Sequence, residues 1–216
     1  MKKKKITTER IVIVILSLVL VGLLLQMAFS NDRRYKEEVF DENNYQENNQ
    51  LQGEHYLGDV NSKIVITEYS SFTCPFCKRF KDDTFDDIKR EYIDTGKVLY
   101  IYRHYTRNDL DVLASNASEC AGEQDKFFEY INLLYKNQTQ LQNQEFEKYA
   151  QELNLDIGQF NECFSSLRYD SKINKDKEEA LKRGITGTPG FTINEEKVSG
   201  AQPFLVFKQV IDSLLE

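Results

Sequence analysis

Hydrophobic and polar positions divide this chain into three parts. Residues 11–29 are apolar except for Ser17, Gly22 and Gln26, and Lys2, Lys3, Lys4, Lys5 and Arg10 precede them. Those nineteen residues, at about 1.5 Å of helical rise each, would span roughly 28 Å, near the hydrocarbon thickness of a bilayer. The pattern predicts a transmembrane signal anchor over residues 1–30, with its basic end in the cytoplasm and the rest of the chain outside. A signal peptide cleaved after Ala28-Phe29-Ser30 is the competing reading. Residues 31–54 are polar, charged and rich in Asn and Gln, and they predict a flexible linker. Periodic apolar positions return after His55 and predict one folded domain over 55–216.

Within that domain, Ile64, Ile66 and Glu68 share one face of a strand running from Lys63 to Tyr69. Phe76, Phe80, Phe85, Ile88 and Tyr92 recur at helical spacing and predict a single helix from Pro75 to about Asp94. Asp94-Thr95-Gly96 ends it, with Gly96 as a left-handed cap. The continuous apolar run Val98 to Tyr102 predicts a buried central strand, parallel to the first. Residues 108–183 read as helical. Leu113, Ala117, Cys120 and Ala121 share one face, as do Phe127, Ile131 and Leu134. Phe146, Tyr149 and Leu153 mark a third helix, and Ile157, Phe160 and Phe164 a fourth. The charged stretch Asp170 to Arg183 predicts a segment solvated on most sides. Thr188 to Gly200 predicts a hairpin turning at Asn194-Glu195-Glu196. Pro203 to Leu215 predicts a last helix with Phe204, Phe207, Val210, Ile211 and Leu214 toward the core.

Charge narrows the functional classes. The net charge is −7, and residues 1–30 carry +4, so the remainder carries −11. An acidic domain argues against nucleic acid as a partner. Two histidines and no tryptophan leave little material for a histidine-based metal site, and no cofactor is expected. His55 and His104 have no partner spacing and read as polar surface residues.

The candidate chemistry lies in Cys74-Pro75-Phe76-Cys77. Two cysteines three apart at a helix entrance can close and open a disulfide. The free N–H groups and the positive dipole end of the helix favour a thiolate there, and the thiolate is the reactive form. Pro75 suits the first turn, where an N–H would go unpaired. Cys74 is the expected nucleophile, with a sulfur able to reach solvent, and Cys77 the more buried resolving thiol. An inert disulfide or half of a zinc site are the alternatives. Cys120 and Cys163 do not form a second close pair, which weighs against a four-cysteine zinc site. The alternation with Ile64 and Ile66 points Glu68 into the core.

Downstream lies Gly184-Ile185-Thr186-Gly187-Thr188-Pro189-Gly190, followed by the strand-like run Phe191-Thr192-Ile193. In this order the chain resembles the thioredoxin superfamily, and more closely its DsbA-like thiol–disulfide oxidoreductases, from about His55 to Glu216. The matching pieces are Glu68 to Cys77, Lys97 to Tyr105, Thr188-Pro189, and Gly200-Ala201-Gln202-Pro203-Phe204. The resemblance implies an α/β thioredoxin-like fold with a helical insertion at about 108–183. It implies that Glu68 is a buried acid relaying a proton to or from Cys77. It implies a cis bond at Thr188-Pro189, with the Thr188 backbone left free to pair with an extended substrate, and Pro75 and Phe76 nearby. One departure is Phe76, where strongly oxidising members carry His, and it implies a milder oxidant. Another is Gly190, where relatives often have a larger residue.

With Cys74 and Cys77 taken as the redox pair, Cys120 and Cys163 are left to each other. In an oxidising compartment they read as a structural disulfide, with two buried free thiols as the alternative. The expected function is oxidation of exported, cysteine-containing proteins at the outer face of the cell membrane, with a membrane redox partner as a candidate. A reductase or isomerase fed by such a partner is one alternative. A non-redox module holding extended peptides beside Thr188-Pro189 is the other.

Overall fold

The computed structural model describes residues 51–216. The expected anchor over 1–30 lies outside the described residues, as does the expected linker except for its last four. No helix among the described residues is long and apolar enough to cross a membrane.

Two apolar runs form the centre of a five-stranded sheet. β1 (His55–Leu57), β2 (Ile64–Ser70), β3 (Val98–His104), β4 (Gly190–Ile193) and β5 (Glu196–Ser199) stand in the order β1-β3-β2-β4-β5. β2 and β3 are parallel, and the other three pairings are antiparallel. A continuous hydrophobic run suits a strand covered on both faces, and both central strands are buried almost throughout. β1 was not anticipated, because three residues are too few to show an alternation.

The helix expected from Pro75 to Asp94 is broken. It consists of α1 (Pro75–Asp83), α2 (Phe85–Ile88) and a wider π-helical turn over Lys89–Ile93. The break falls at Thr84, whose φ is −130° and whose hydroxyl donates to the Gln202 carbonyl at 3.0 Å. The reason lies in the spacing of the aromatic residues. In an unbroken helix, Phe80 and Phe85 would point about 140° apart. The break brings their ring centroids to 6.2 Å, and both are buried. Phe76 does not join this core: it is 52% exposed. Gly96 does terminate the segment, with φ +72°.

The connection from β3 to β4 is helical: α3 (Asp109–Gly122), α4 (Phe127–Lys136), α5 (Glu145–Glu152), α6 (Ile157–Ser165) and α7 (Asp170–Lys182). Asn108 caps α3 by accepting the Asp111 N–H, and Asp156 caps α6 by accepting the Gln159 N–H. A disulfide joins Cys120 on α3 to Cys163 on α6. α7 is less solvated than its charge suggests, because Ile173, Asp176 and Ala180 are buried. The last helix, α8 (Phe204–Leu215), turns Phe207 and Ile211 inward, while Leu214, expected in the core, is exposed near its end. Phe207 meets Phe80 and Phe191 with centroid distances of 5.4 and 5.0 Å. These rings join α8, α1 and β4 in one aromatic core.

The two histidines correct the expectation of surface residues. His104 is fully buried and its Nε2 lies 2.9 Å from Glu119 Oε1. His55 stacks on Phe127 and its Nε2 lies 2.9 Å from Glu119 Oε2. Lys172 donates to the same carboxylate at 2.9 Å. The three groups come from β1, β3 and α7, so no local spacing could announce them.

Candidate active site

The parallel pair β2–β3 places the start of α1 at the carboxyl end of the sheet. Cys74 is the N-cap of α1, and its carbonyl accepts the N–H groups of Cys77 and Lys78 at 3.1 and 3.2 Å. Pro75 fills the first helical position and is exposed. Cys74 and Cys77 are both free thiols. Antiparallel pairing of Tyr69 with Gly190 carries the Thr188–Pro189 turn to the same end of the sheet. That peptide bond is cis. The Cys74 Sγ donates to the Thr188 carbonyl at 3.2 Å. Two segments 114 residues apart thus meet at one sulfur.

This geometry bears on two expectations. The Thr188 carbonyl accepts from Cys74 only while that sulfur is a thiol, and the thiolate and disulfide forms leave it free for a substrate. Cys74 is itself buried, at 2% exposure, because the Thr188 turn lies over it. Cys77 is fully buried and accepts the Ser71 N–H at 3.5 Å.

The two thiols are pushed apart as acids. The hydrogen bond from Cys77 holds Cys74 down to about 5, against the effect of burial and with help from Thr188 and the backbone N–H groups of Cys77 and Phe76. Burial pushes Cys77 up, and the neighbouring Cys74 and Glu68 push it further. Phe76 contributes only its backbone to this. Its ring points outward and carries the Arg79 guanidinium 4.9 Å from its centroid. The thiolate therefore does not depend on a polar side chain at position 76.

Glu68 lies in the core, 1% exposed, and accepts a short hydrogen bond from the Tyr100 hydroxyl. Burial raises its pKa, opposed by the charge of Lys81 and by bonds from Ser70 and Tyr100. Lys81 is itself lowered to about 8 by burial, although Glu68 and Asp86 favour its charge. Its ammonium sits 3.2 Å from the centroid of the Phe85 ring. Glu68 held up by burial and Lys81 held down by it feel each other's charge beneath the thiol pair, and both are groups that can carry a proton there.

Beside the sulfurs runs a groove of about 610 Å³, lined among others by Phe76, Arg79, Thr188, Ala201, Pro203 and Phe204. Arg79 donates to the Ala201 carbonyl at 3.2 Å across it. Gly190 also finds its explanation here. A Cβ at this position would overlap the Ile185 side chain and stand 3.0 Å from the Gly187 carbonyl oxygen, so the turn packs directly on the strand backbone. Cys120 and Cys163 stand apart from this site, bonded to one another, and cannot join Cys74 and Cys77 around a metal.

The described chain resembles Wolbachia pipientis α-DsbA1, at 31% identity and a TM-score of 0.69, covering 74% of this chain and 90% of that one. A thioredoxin family model matches residues 50–213. The chain belongs to the DsbA-like thioredoxin family. BdbD of Bacillus subtilis shares the fold, at 22% identity and a TM-score of 0.70, covering 76% of this chain and 93% of that one. A Rickettsia conorii chain provisionally designated a protein-disulfide oxidoreductase is 31% identical over 148 residues, 64% of this chain and 52% of that one. A Salinispora tropica Na(+)/H(+) antiporter, NhaA 3, is 29% identical over 150 residues, 68% of this chain and 22% of that one. The DsbA-like chain thus spans about half or less of the length of these curated relatives.

Sequence reasoning missed the groups that surround the cysteine loop. Asp111 on α3 is fully buried and accepts from Ser71 and Thr73, just before Cys74. Gln138, after α4, donates to the Phe72 and Cys74 carbonyls. Asp111 reads in the sequence as an ordinary first-turn acid three residues after a cap, and Gln138 as one of several glutamines in a polar stretch. Neither carries a signal short of the fold.

Proposed function

We propose that this protein exchanges disulfides with other proteins through Cys74 and Cys77, and that it works as an oxidant of exported, cysteine-containing proteins. The observation that carries this reading is the asymmetry of the two thiols, one held at about 5 and the other pushed up by burial. A stabilised Cys74 thiolate is a good leaving group and favours the reduced pair, which makes the disulfide an oxidant.

In the oxidising direction, a substrate thiolate attacks Cys74 Sγ of the Cys74–Cys77 disulfide. The S–S bond breaks, and its electron pair leaves on Cys77, which takes up a proton in its buried site. Glu68 and Lys81 are the nearby proton carriers. A second substrate thiolate then attacks the substrate sulfur of the mixed disulfide, and Cys74 leaves as the thiolate. The substrate loses two electrons and the enzyme gains them. The groove lined by Phe76, Thr188 and Phe204 receives the residues flanking the substrate cysteine.

An extracytoplasmic, membrane-anchored location is part of the same proposal. It is supported by the basic and apolar pattern of residues 1–30 and by the Cys120–Cys163 disulfide, which persists in oxidising compartments. The cycle requires an acceptor for the electrons of the reduced pair, and a membrane redox partner is proposed for that role. The test is the reduction potential of the full chain, equilibrated against glutathione buffers. A value near about −120 mV supports a disulfide donor, and one near about −270 mV replaces it with a reductase.

A further inference from the structure

The loop that delivers Cys74 to the helix entrance is gripped residue by residue from the helical insertion. The Ser71 hydroxyl donates to Asp111 Oδ2 at 2.8 Å. Thr73 donates to Asp111 twice, from its N–H to Oδ1 and from its hydroxyl to Oδ2, each at 2.9 Å. The Arg107 N–H fills a further site on Oδ2 at 3.0 Å. On the other side of the loop, the Gln138 amide nitrogen donates to the Phe72 carbonyl at 2.8 Å and to the Cys74 carbonyl at 2.9 Å. Donors at residues 71 and 73 therefore meet Asp111, and acceptors at 72 and 74 meet Gln138.

We propose that Asp111 and Gln138 are positioning residues of the redox centre, a two-sided clamp by which the helical insertion sets the active-site loop. The inference rests on the exchange chemistry proposed above. Three observations support it. First, Ser71 touches both cysteines: its N–H donates to Cys77 Sγ at 3.5 Å and its carbonyl accepts the Cys74 N–H at 3.2 Å. A shift of Ser71 therefore moves both sulfurs relative to the helix entrance. Second, all four donors to Asp111 are uncharged, three on Oδ2 and one on Oδ1, and the carboxyl group they hold is fully buried. Such a group is expensive to bury and, with this donor set, rigid in direction. Third, a primary amide has two N–H bonds, and Gln138 spends both on the loop. A thioredoxin core without the insertion has neither group. The insertion is thus a structural support for the cysteine loop, not only a cover.

The test compares the reduced full chain with its Asp111→Asn, Gln138→Ala and Ser71→Ala variants. Two quantities are read: the pH midpoint of thiolate absorbance from Cys74, and the equilibrium constant with glutathione. Glu129→Gln, on the exposed side of α4, is the control. With the clamp loosened, the Cys77 thiol and the backbone N–H groups no longer converge on Cys74. The midpoint should rise by about one pH unit, a tenfold weaker acid, and the equilibrium constant for oxidising glutathione should fall about tenfold.

Unchanged values in folded variants would reduce Asp111 and Gln138 to a structural role and overturn the proposal. A midpoint that falls in Asp111→Asn would also overturn it, because that is the effect of removing a bare negative charge. If Asp111→Asn does not fold, Gln138→Ala and Ser71→Ala give the same decision. A wild-type chain that fails to exchange with glutathione overturns the proposed function instead, and the thiolate midpoints still decide the clamp.

Discussion

The Tyr100 hydroxyl donates to the Glu68 carboxylate inside the core, where β2 and β3 run side by side beneath α1. A carboxyl group held there pays for its burial with a raised pKa. Its neutral form is the one that suits the fold. The stability linked to this group is therefore complete below the ordinary carboxylate range and is lost as pH rises through the raised folded value. Glu68→Gln keeps an acceptor for Tyr100 and removes the loss. The variant should melt higher than wild type near neutral pH, and the difference should close in acid. A gain of about 1 kcal/mol would read as roughly 2–4 °C in a chain of this size. A variant that melts lower near neutral pH would show that Lys81 already stabilises the ionised form.

Thiolate absorbance of the reduced protein should rise in one step near pH 5, from Cys74 alone, because Cys77 is pushed up by burial. The sign for stability is opposite to that of Glu68. A group held below its ordinary value contributes fully above that value, and the contribution is lost as pH falls through about 5. Melting temperatures of the reduced form should drop on acidification through that window, while those of the oxidised form lack this dependence. Cys74→Ser should remove the step. A first ionisation near the ordinary thiol value would contradict the geometry.

Glu119 ties three elements together through His55, His104 and Lys172. Burial alone would raise its pKa, but the hydrogen bonds from His104 and His55 and the charge of Lys172 hold it well below the ordinary range. Its contribution is present above that range and disappears as pH falls toward the lowered value. Glu119→Gln should cost on the order of 3 kcal/mol near neutral pH, since it leaves buried partners unmatched, and should flatten the acid limb of the stability profile. Urea unfolding at several pH values measures both. A loss that persists unchanged in acid would assign the effect to packing.

Gly190 lets the cis-proline turn lie directly on Ile185 and the Gly187 carbonyl. Gly190→Ala should destabilise by about 1–3 kcal/mol through overpacking. It should also slow disulfide exchange, because the Thr188 side chain that helps lower the Cys74 thiol moves away with the turn. Adding Ile185→Ala to that variant should recover part of both. Wild-type exchange kinetics in the single variant would separate Gly190 from the site.

The placement of the candidate site was legible where it is local. Cys74, Cys77 and Pro189 announce themselves through a helix entrance and a turn, and Glu68 through alternation with Ile64 and Ile66. What was not legible depends on contacts between distant elements. The break at Thr84 follows from where Phe80 and Phe85 must point in three dimensions. Burial of His104 and partial burial of His55 follow from a carboxylate supplied by α3. Lys81, within 3.2 Å of the Phe85 ring centroid, carries no sequence signal of its place near Glu68. Exposure of Phe76 reverses the periodic reading, because an apolar residue at a helix entrance fits the helical pattern whether or not anything covers it. The milder oxidant expected from Phe76 rests on a side chain that gives the thiolate neither charge nor a hydrogen bond, and its ring faces Arg79.

The span of 114 residues between Cys74 and Thr188 has a consequence for how the protein is made. A ribosome releases the cysteine pair long before β4 exists. Until β4 pairs with β2, Cys74 lacks the Thr188 side chain that helps hold its thiol below the ordinary range. The nascent chain then carries two thiols of ordinary acidity. The separation of their acidities arrives with the closing of the sheet, so an unfinished copy lacks the asymmetry that distinguishes the folded pair.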